Sequence, residues 1–232
     1  MVKIGWKIKV PSDLKHIISV LSYSPDYYKK RLEKIGFTGK NTKLLDAACG
    51  CGAWAVTASY LNLQVKGIDS TPKYLAVGKE INSRFKRKNL NLEIGVLEKL
   101  PYKDKTFDYI VCYDAWMYTK RAESLKEMHR VLKAGGKIYL GSIAGFGWYL
   151  SLIAEGFKKG SRNLIITALK AIKNHVYMTE KESRNLLEKQ GFKILGVGSD
   201  GSLGDKKLKI EPMFGTKKFG FWCVYEILGQ KL

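Results

Sequence analysis

The sequence predicts an α/β protein built on a doubly wound, mostly parallel seven-stranded sheet, with a C-terminal antiparallel strand pair and a helical insertion after strand five. Three observations carry that expectation. Between residues 43 and 142, short apolar runs alternate with segments of helical spacing, which implies a parallel sheet covered on both faces. The run Leu44-Leu45-Asp46-Ala47-Ala48-Cys49-Gly50-Cys51-Gly52 places an apolar strand, an acid and a small-residue loop directly before a helix. The last two strand-like runs, 192–197 and 221–228, have no helix between them and are most simply antiparallel.

All 232 residues read as one domain in four stretches. Residues 1–41 are an N-terminal helical and irregular segment, in which Ser24-Pro25-Asp26 opens a helix over 27–35 carrying Tyr28, Leu32 and Ile35 on one face. Residues 42–143 form the core, with strands 43–46, 64–69, 92–96, 107–113 and 137–142 and helices 53–62, 72–88 and 119–132. Thr71-Pro72 supplies a cap and a first-turn proline, and Tyr74, Val77, Ile81 and Phe85 make one apolar face. Leu125, Met128 and Leu132 do the same for the next helix, which Gly135-Gly136 ends. Residues 144–178 form the insertion, two helices near 148–158 and 162–174. They are rich in Leu, Ile, Phe and Trp yet bear Lys158, Lys159, Arg162, Lys170 and Lys173. Three readings stay open for them: a lid over a substrate pocket, an amphipathic contact with a membrane or partner, or an insertion packed on the core. Residues 179–232 hold a last helix, opened by the capping box Thr179-Glu180-Lys181-Glu182 and stopped at Gly191, and the strand pair. A long Gly- and Lys-rich connection, 198–220, joins those strands.

Composition narrows the function classes. No run approaches the roughly 18 apolar residues of a membrane span. The opening residues are charged and lack an apolar h-region, so no signal peptide is expected. The expected location is the cytoplasm, with peripheral attachment at the inner membrane surface left open. Cys49, Cys51, Cys112 and Cys223 show no zinc-site spacing and read as buried thiols in a reducing compartment; no metal is expected. The net charge of +20 suits an anionic surface, nucleic acid or phospholipid, or a merely lysine-rich exterior.

Two glycines one residue apart let a ligand approach the backbone, and the helix behind them offers unpaired N–H groups. Gly50-Cys51-Gly52-Ala53-Trp54-Ala55 satisfies the dinucleotide pattern G-x-G-x-x-G/A, with Asp69 ending the next strand. Three features argue against a nicotinamide cofactor. The loop follows more than 40 residues, Asp46 adds negative charge where a pyrophosphate would lie, and a strand pair stands in place of a second βαβ half.

Further motifs make the reading specific. Val65-Lys66-Gly67-Ile68-Asp69, Leu100-Pro101-Tyr102 with Lys105-Thr106-Phe107-Asp108-Tyr109-Ile110-Val111, Glu127 to Gly136 and Gln190-Gly191-Phe192 follow the glycine loop in order. With it they resemble class I S-adenosylmethionine-dependent methyltransferases over residues 42–142, especially the group acting on small molecules and lipids, with Ala134 in place of the usual proline. The resemblance implies S-adenosyl-L-methionine as cofactor and S-adenosyl-L-homocysteine as product. It implies that Asp69 accepts both ribose hydroxyl protons. Asp46 orders the loop or the cofactor's amino group. Ala48, Cys49, Gly50 and Gly52 bring backbone to the adenosyl and methionine parts, and Tyr113 borders them. Ser70 lines the adenine slot, Leu97 sandwiches the ring, and Val96 stands where relatives often carry an acid, for which Glu98 is a substitute.

The acceptor pocket of such a fold opens after the fourth strand, at Tyr113, Asp114, Trp116 and Tyr118. The candidate catalytic residues are Tyr113, Asp114 and Tyr118: aromatic faces to hold a cationic amine, and a carboxylate to orient or deprotonate an acceptor. The plain alternative is packing for Trp116 and Tyr118 and a turn cap for Asp114. His16, His129 and His175 are isolated and are not assigned as bases. No proline-flanked aromatic motif of base-amino methylation and no proline-cysteine nucleophile is present. Three functions remain: methyl transfer to a small-molecule or lipid-like acceptor; methylation of RNA (tRNA or rRNA) through the basic surface, including loops 84–88 and 205–209; and a non-catalytic partner protein. The oligomeric state is not legible.

Overall fold

Strand and helix alternate along a computed structural model whose described residues are 2–3, 6, 8–61 and 63–232. Seven strands make the central sheet: β1 (Lys43–Ala47), β2 (Gln64–Asp69), β3 (Leu90–Ile94), β4 (Phe107–Tyr113), β5 (Leu132–Ala144), β6 (Phe192–Ser199) and β7 (Val224–Lys231). Their spatial order is β3-β2-β1-β4-β5-β7-β6. The first five are parallel, and β7 runs antiparallel between β5 and β6. The expected architecture is therefore present, strand pair included.

The helices are α1 (Lys15–Val20), α2 (Pro25–Lys34), α3 (Ala53–Tyr60), α4 (Pro72–Phe85), α5 (Arg121–Val131), α6 (Phe146–Lys159), α7 (Arg162–Lys173) and α8 (Glu180–Lys189). They divide between the two faces because adjacent strand residues point oppositely. Leu44 packs with α1–α4, and its neighbour Leu45 packs with α5 and the insertion. Helix α3 is buried nearly all round, which its run of Ala, Val, Thr and Ser permits.

The ends of several elements differ from expectation, each for a local reason. Strand β3 lies two residues earlier, at 90–94, because Gly95 N–H turns back to the Asp69 carbonyl and Val96 makes only an isolated bridge with Lys99. Helix α5 stops at Val131, before Gly135-Gly136: fully buried Leu132 is already extended and pairs with Phe107. Helix α4 ends at Phe85, where Lys86 turns left-handed at φ +50°. Thr71 makes no side-chain cap on it; its own N–H bonds Asp69 instead. Helix α3 ends at Tyr60, and Asn62 lies outside the described residues. The sheet strand expected over 221–228 begins at Val224, since Phe221–Trp222 pairs with Lys217–Lys218 in a separate hairpin. The N-terminal segment also holds a two-residue ladder, Val2–Lys3 with Lys9–Val10. At α8, Thr179 Oγ1 accepts from Glu182 N–H as expected, but the Glu182 carboxylate pairs with Arg121 rather than closing the box.

The 198–220 connection is pinned rather than free. Asp205 N–H donates to the Lys34 carbonyl at 2.8 Å, and Lys34 Nζ donates to the Leu208 carbonyl at 2.5 Å. A Cβ on Gly204 would fall 2.0 Å from the Lys34 carbonyl oxygen.

Candidate functional site

The C-terminal ends of the central strands converge, and there the backbone leaves ordinary φ/ψ space. Ala48 after β1 (φ +60°), Asp114 after β4 (φ +56°) and Ser142 in β5 (φ +50°) are all left-handed without being glycine. Such strain persists only where the surroundings over-determine it, and it gathers at working sites. Gly50 (φ +53°) and Gly52 (φ +74°) complete the turn, and Gly52 caps α3.

Two carboxylates organise this loop. Asp46 Oδ2 accepts from Ala55 N–H at 2.9 Å and so satisfies a free donor in the first turn of α3. Burial pushes Asp46 up to about 8; the Ala55 hydrogen bond opposes the shift and Asp69 adds to it. Asp69 Oδ2 accepts from Gly50 N–H and its Oδ1 from Thr71 N–H, both at 2.8 Å. A carboxylate oxygen accepts more than one hydrogen bond, so each keeps capacity for a diol to donate to.

A cavity of about 220 Å³ opens against the loop. Its lining includes Asp46, Ala48, Cys49, Gly50 and Cys51 on one side and Trp54, Tyr113 and Asp114 on another. Helix α1 covers it with His16, Ile17, Ser19 and Val20, and Met213 and Phe214 of the 198–220 connection close the remaining side. No residue of 144–178 is among those lining it; α1 and Met213-Phe214 provide the cover. The insertion reaches the site indirectly, through Trp148, whose ring meets Phe214 edge-on at 5.9 Å.

Asp114 lines this space together with Asp46 and His16. Burial pushes its carboxyl up to about 7, against a hydrogen bond from Ser142 and together with the charge of Asp200. Tyr113 borders the cavity, but its hydroxyl is committed: it donates to Asp200 Oδ1 at 3.0 Å and accepts from Arg31 at 3.3 Å. Tyr118 is largely exposed and outside the lining, beside Asp114 on the solvent side. Trp116 is buried, its Nε1 donating to the Arg121 carbonyl, which is the packing reading. Ser70 is exposed, Leu97 buried and Val96 exposed near the end of β3. Glu98 does not replace the missing acid freely, because its Oε1 accepts from Lys120 N–H at 2.9 Å. His129 packs on the Phe192 ring at 5.1 Å.

Sequence reasoning missed the group that holds the cavity's far wall. Arg31 of α2 is buried and donates to Asp200 Oδ1 at 2.7 Å, Glu226 Oε2 at 2.9 Å, and the hydroxyls of Tyr27, Tyr113 and Tyr139. Burial opposes its charge, but Tyr139, Tyr113, Asp200 and Glu226 outweigh that and hold it charged. Asp200 also accepts from Met213 N–H at 2.7 Å, so the cluster positions the segment over the cavity. One signal was available: Glu226 is the lone charge in the apolar run Val224-Tyr225-Glu226-Ile227-Leu228. His16 was likewise unassigned; burial lowers its pKa, and Asp69 opposes the shift.

A glycine loop on a strand-to-helix turn, an acid ending the next strand and this strand order meet a matching family model, described as a methyltransferase domain, over residues 38–193. The chain belongs to that family. This methyltransferase domain is 35% identical over 129 residues to the demethylmenaquinone methyltransferase of Staphylococcus aureus (strain JH9), a match covering 54% of the chain and 52% of the relative. The chain thus spans about half the length of the curated relatives it matches. Among solved structures, geranyl diphosphate C-methyltransferase from Streptomyces coelicolor A3(2) shares the fold at TM-score 0.66 and 14% identity, covering 97% of this chain and 85% of that one. A methyltransferase of Thermotoga maritima does so at TM-score 0.59 and 20% identity, covering 95% and 97%. The Streptomyces protein was crystallised with S-adenosyl-L-homocysteine.

The residues present fit that cofactor class. Ile94 and Val96 leave an exposed apolar surface where β3 ends beside Asp69, a place a flat base would cover. Asp69 can take a diol, and the cavity beyond Gly50 takes the remainder.

Proposed function

We propose that this domain transfers the methyl group of S-adenosyl-L-methionine to a small, largely apolar, lipid-like acceptor held in the cavity beneath α1, at the cytoplasmic side of a membrane. The observation that carries the reading is the shared cavity, which puts the glycine loop and Asp114 on one enclosed space. S-adenosyl-L-methionine, when bound, supplies an electrophilic methyl carbon on a sulfonium. Asp69 holds the ribose, and the Ala48–Gly52 backbone admits the rest of the molecule. Asp46 lines the same cavity and, raised to about 8 by burial, meets a cationic amine as a carboxylate where that amine's charge draws its proton off. Helix α1, Met213 and Phe214 exclude water. Holding the two reactants in line is worth on the order of 7–11 kcal/mol of the barrier, so little further catalysis is needed. Asp114 orients the acceptor and, for an acceptor that must lose a proton, takes that proton at its carboxylate. Tyr113 is a positioning residue, locked into the Arg31 cluster.

Aromatic and apolar walls support a greasy acceptor over a nucleic acid. Within the basic loop at 84–88, one RNA candidate, Arg87 is used internally, donating to the Ser59 hydroxyl and carbonyl and stacking over Tyr60, and Arg84 pairs with Glu80 at the surface, which leaves Lys86 and Lys88 exposed and, among the described residues, unpaired. The test is incubation with methyl-labelled S-adenosyl-L-methionine and a cell extract, with Asp69→Ala as control. Label should enter the organic or small-molecule fraction and disappear in the variant. Ribonuclease-sensitive label would replace the acceptor by RNA, and failure to bind S-adenosyl-L-homocysteine in calorimetry would sink the proposal.

A further inference from the structure

We propose that the α6–α7 hairpin, with the turn joining Lys217–Lys218 to Phe221–Trp222, is a docking surface for an anionic phospholipid bilayer. The inference extends the proposed function by naming where the acceptor comes from, and it is read out without any methyl transfer.

Exposed aromatic and basic residues recur together at the tips of this layer. Phe157, 73% exposed, precedes Lys158 and Lys159 where α6 ends; Phe219, 67% exposed, follows Lys217 and Lys218 in the β-hairpin turn. On α7, Arg162, Ile166, Leu169, Lys170 and Lys173 fall at i, i+4, i+7, i+8 and i+11. That spacing puts them on one outward face, opposite buried Ala168. From 155 to 173 five cations meet a single carboxylate, Glu155, which pairs with Lys159. The two hairpins join through Phe146 and Phe221, whose rings meet edge-on at 5.3 Å.

An aqueous surface gains nothing from large apolar side chains ringed by lysine, and a bilayer interface accommodates both. The rings and aliphatic chains enter the acyl boundary while lysine stems run along it and keep their ammonium groups among anionic headgroups. Nucleic acid suits the α7 face less well, because aliphatic Ile166 and Leu169 sit amid its cations and the rings a base could stack on, Phe157 and Phe219, lie outside α7. Among the described residues no helix is long and apolar enough to cross a membrane, so the contact is peripheral. The layer also connects to the cavity, since Trp148 of α6 packs on Phe214 of the lining. Docking there would set a membrane-borne acceptor beside the cavity mouth.

The experiment is vesicle flotation of the full chain with phosphatidylcholine alone and with one-third phosphatidylglycerol. Partitioning should be at least about tenfold stronger to the anionic vesicles and fall as salt is raised. Phe157→Ser with Phe219→Ser, and separately Lys158→Glu with Lys159→Glu, should each weaken it at least about tenfold while S-adenosyl-L-homocysteine affinity stays unchanged. Retained cofactor affinity shows the variants are folded. Binding that ignores lipid charge, variants that bind like the parent, RNA binding through these residues without vesicle binding, or a dimer in sedimentation that is lost in Phe157→Ser would each overturn the proposal. Loss of cofactor binding by the parent chain would instead sink the methyl-transfer reading and leave this one standing.

Discussion

Replacing Arg31 by methionine tests whether the buried charge cluster is what shapes the cavity wall. The substitution keeps most of the volume and removes one positive charge together with all five hydrogen bonds from the guanidinium. Two carboxylates stay behind, with side chains 0% exposed at Asp200 and 1% at Glu226. Removing one partner of a buried ion pair costs about 3–5 kcal/mol, because the stranded charge can neither pair nor hydrate. Here each carboxylate keeps other donors: Tyr113 and Met213 N–H at Asp200, and Tyr139, Gly201 N–H and Leu203 N–H at Glu226. The lower end, about 3 kcal/mol, is therefore expected. For a domain of this size that is a fall in Tm of roughly 6–12 °C.

Urea unfolding followed by tryptophan fluorescence reads this directly, since the Arg31 guanidinium sits 5.4 Å from the Trp54 ring. A second substitution separates charge from packing. Glu226→Gln in the Arg31→Met background removes one stranded charge and should recover about 1–2 kcal/mol, although either change alone destabilises. The cofactor loop is not part of the cluster, so S-adenosyl-L-homocysteine affinity should change little, while the KM for the acceptor rises as Met213 and Phe214 lose their anchor. An Arg31→Met chain within about 1 kcal/mol of the parent, or a double variant less stable than the single one, refutes the reasoning.

Three further outcomes follow from the site. Asp69→Ala should weaken S-adenosyl-L-homocysteine binding about a hundredfold in calorimetry, the loss of two charge-assisted hydrogen bonds, and should also lower the melting temperature of the free chain, because the Gly50 and Thr71 N–H groups lose their acceptor. Asp114, raised to about 7, and Asp46, raised to about 8, make the folded chain bind more protons than the unfolded one. Their stabilising contribution is complete at acid pH and lost as pH climbs through those values. Urea midpoints of Asp114→Asn and parent should accordingly diverge in the variant's favour as pH rises from about 4 to about 7 and stay apart by a constant amount above that, whereas kcat/KM of the parent should rise through about pH 7 and lose that limb in the variant. Gly204→Ala, at φ +89° with its Cβ driven onto the Lys34 carbonyl, should cost about 1–3 kcal/mol and raise the acceptor KM with little change in cofactor affinity.

What was legible in the sequence was what the chain writes locally. Gly50 and Gly52 are adjacent to the turn they permit, Asp69 ends the strand that presents it, and alternation of period 2 with period 3.6 sorts strands from helices. The Arg31 cluster has no such local form, because residues 31, 113, 139, 200 and 226 meet only once β7 has been inserted between β5 and β6. Amphipathic spacing in 144–178 showed that those helices have an apolar face and not which surface the face meets, so lid, amphipathic contact and packed insertion stayed open there, while nothing local in the sequence marked α1 or Met213-Phe214 as cavity walls. The deepest gap concerns backbone strain. Ala48 and Ser142 carry no sequence mark of left-handed geometry, and Asp114 only the weak one of an aspartate, since the strong signal is glycine and these are not glycine. Their conformations are imposed by packed strand ends and by hydrogen bonds such as that from Asp114 N–H to the Gly141 carbonyl at 3.0 Å. The same packing sets Asp114 in the cavity lining, half-buried. A residue chosen for its backbone comfort there would have been easier to read and would have left the carboxylate elsewhere.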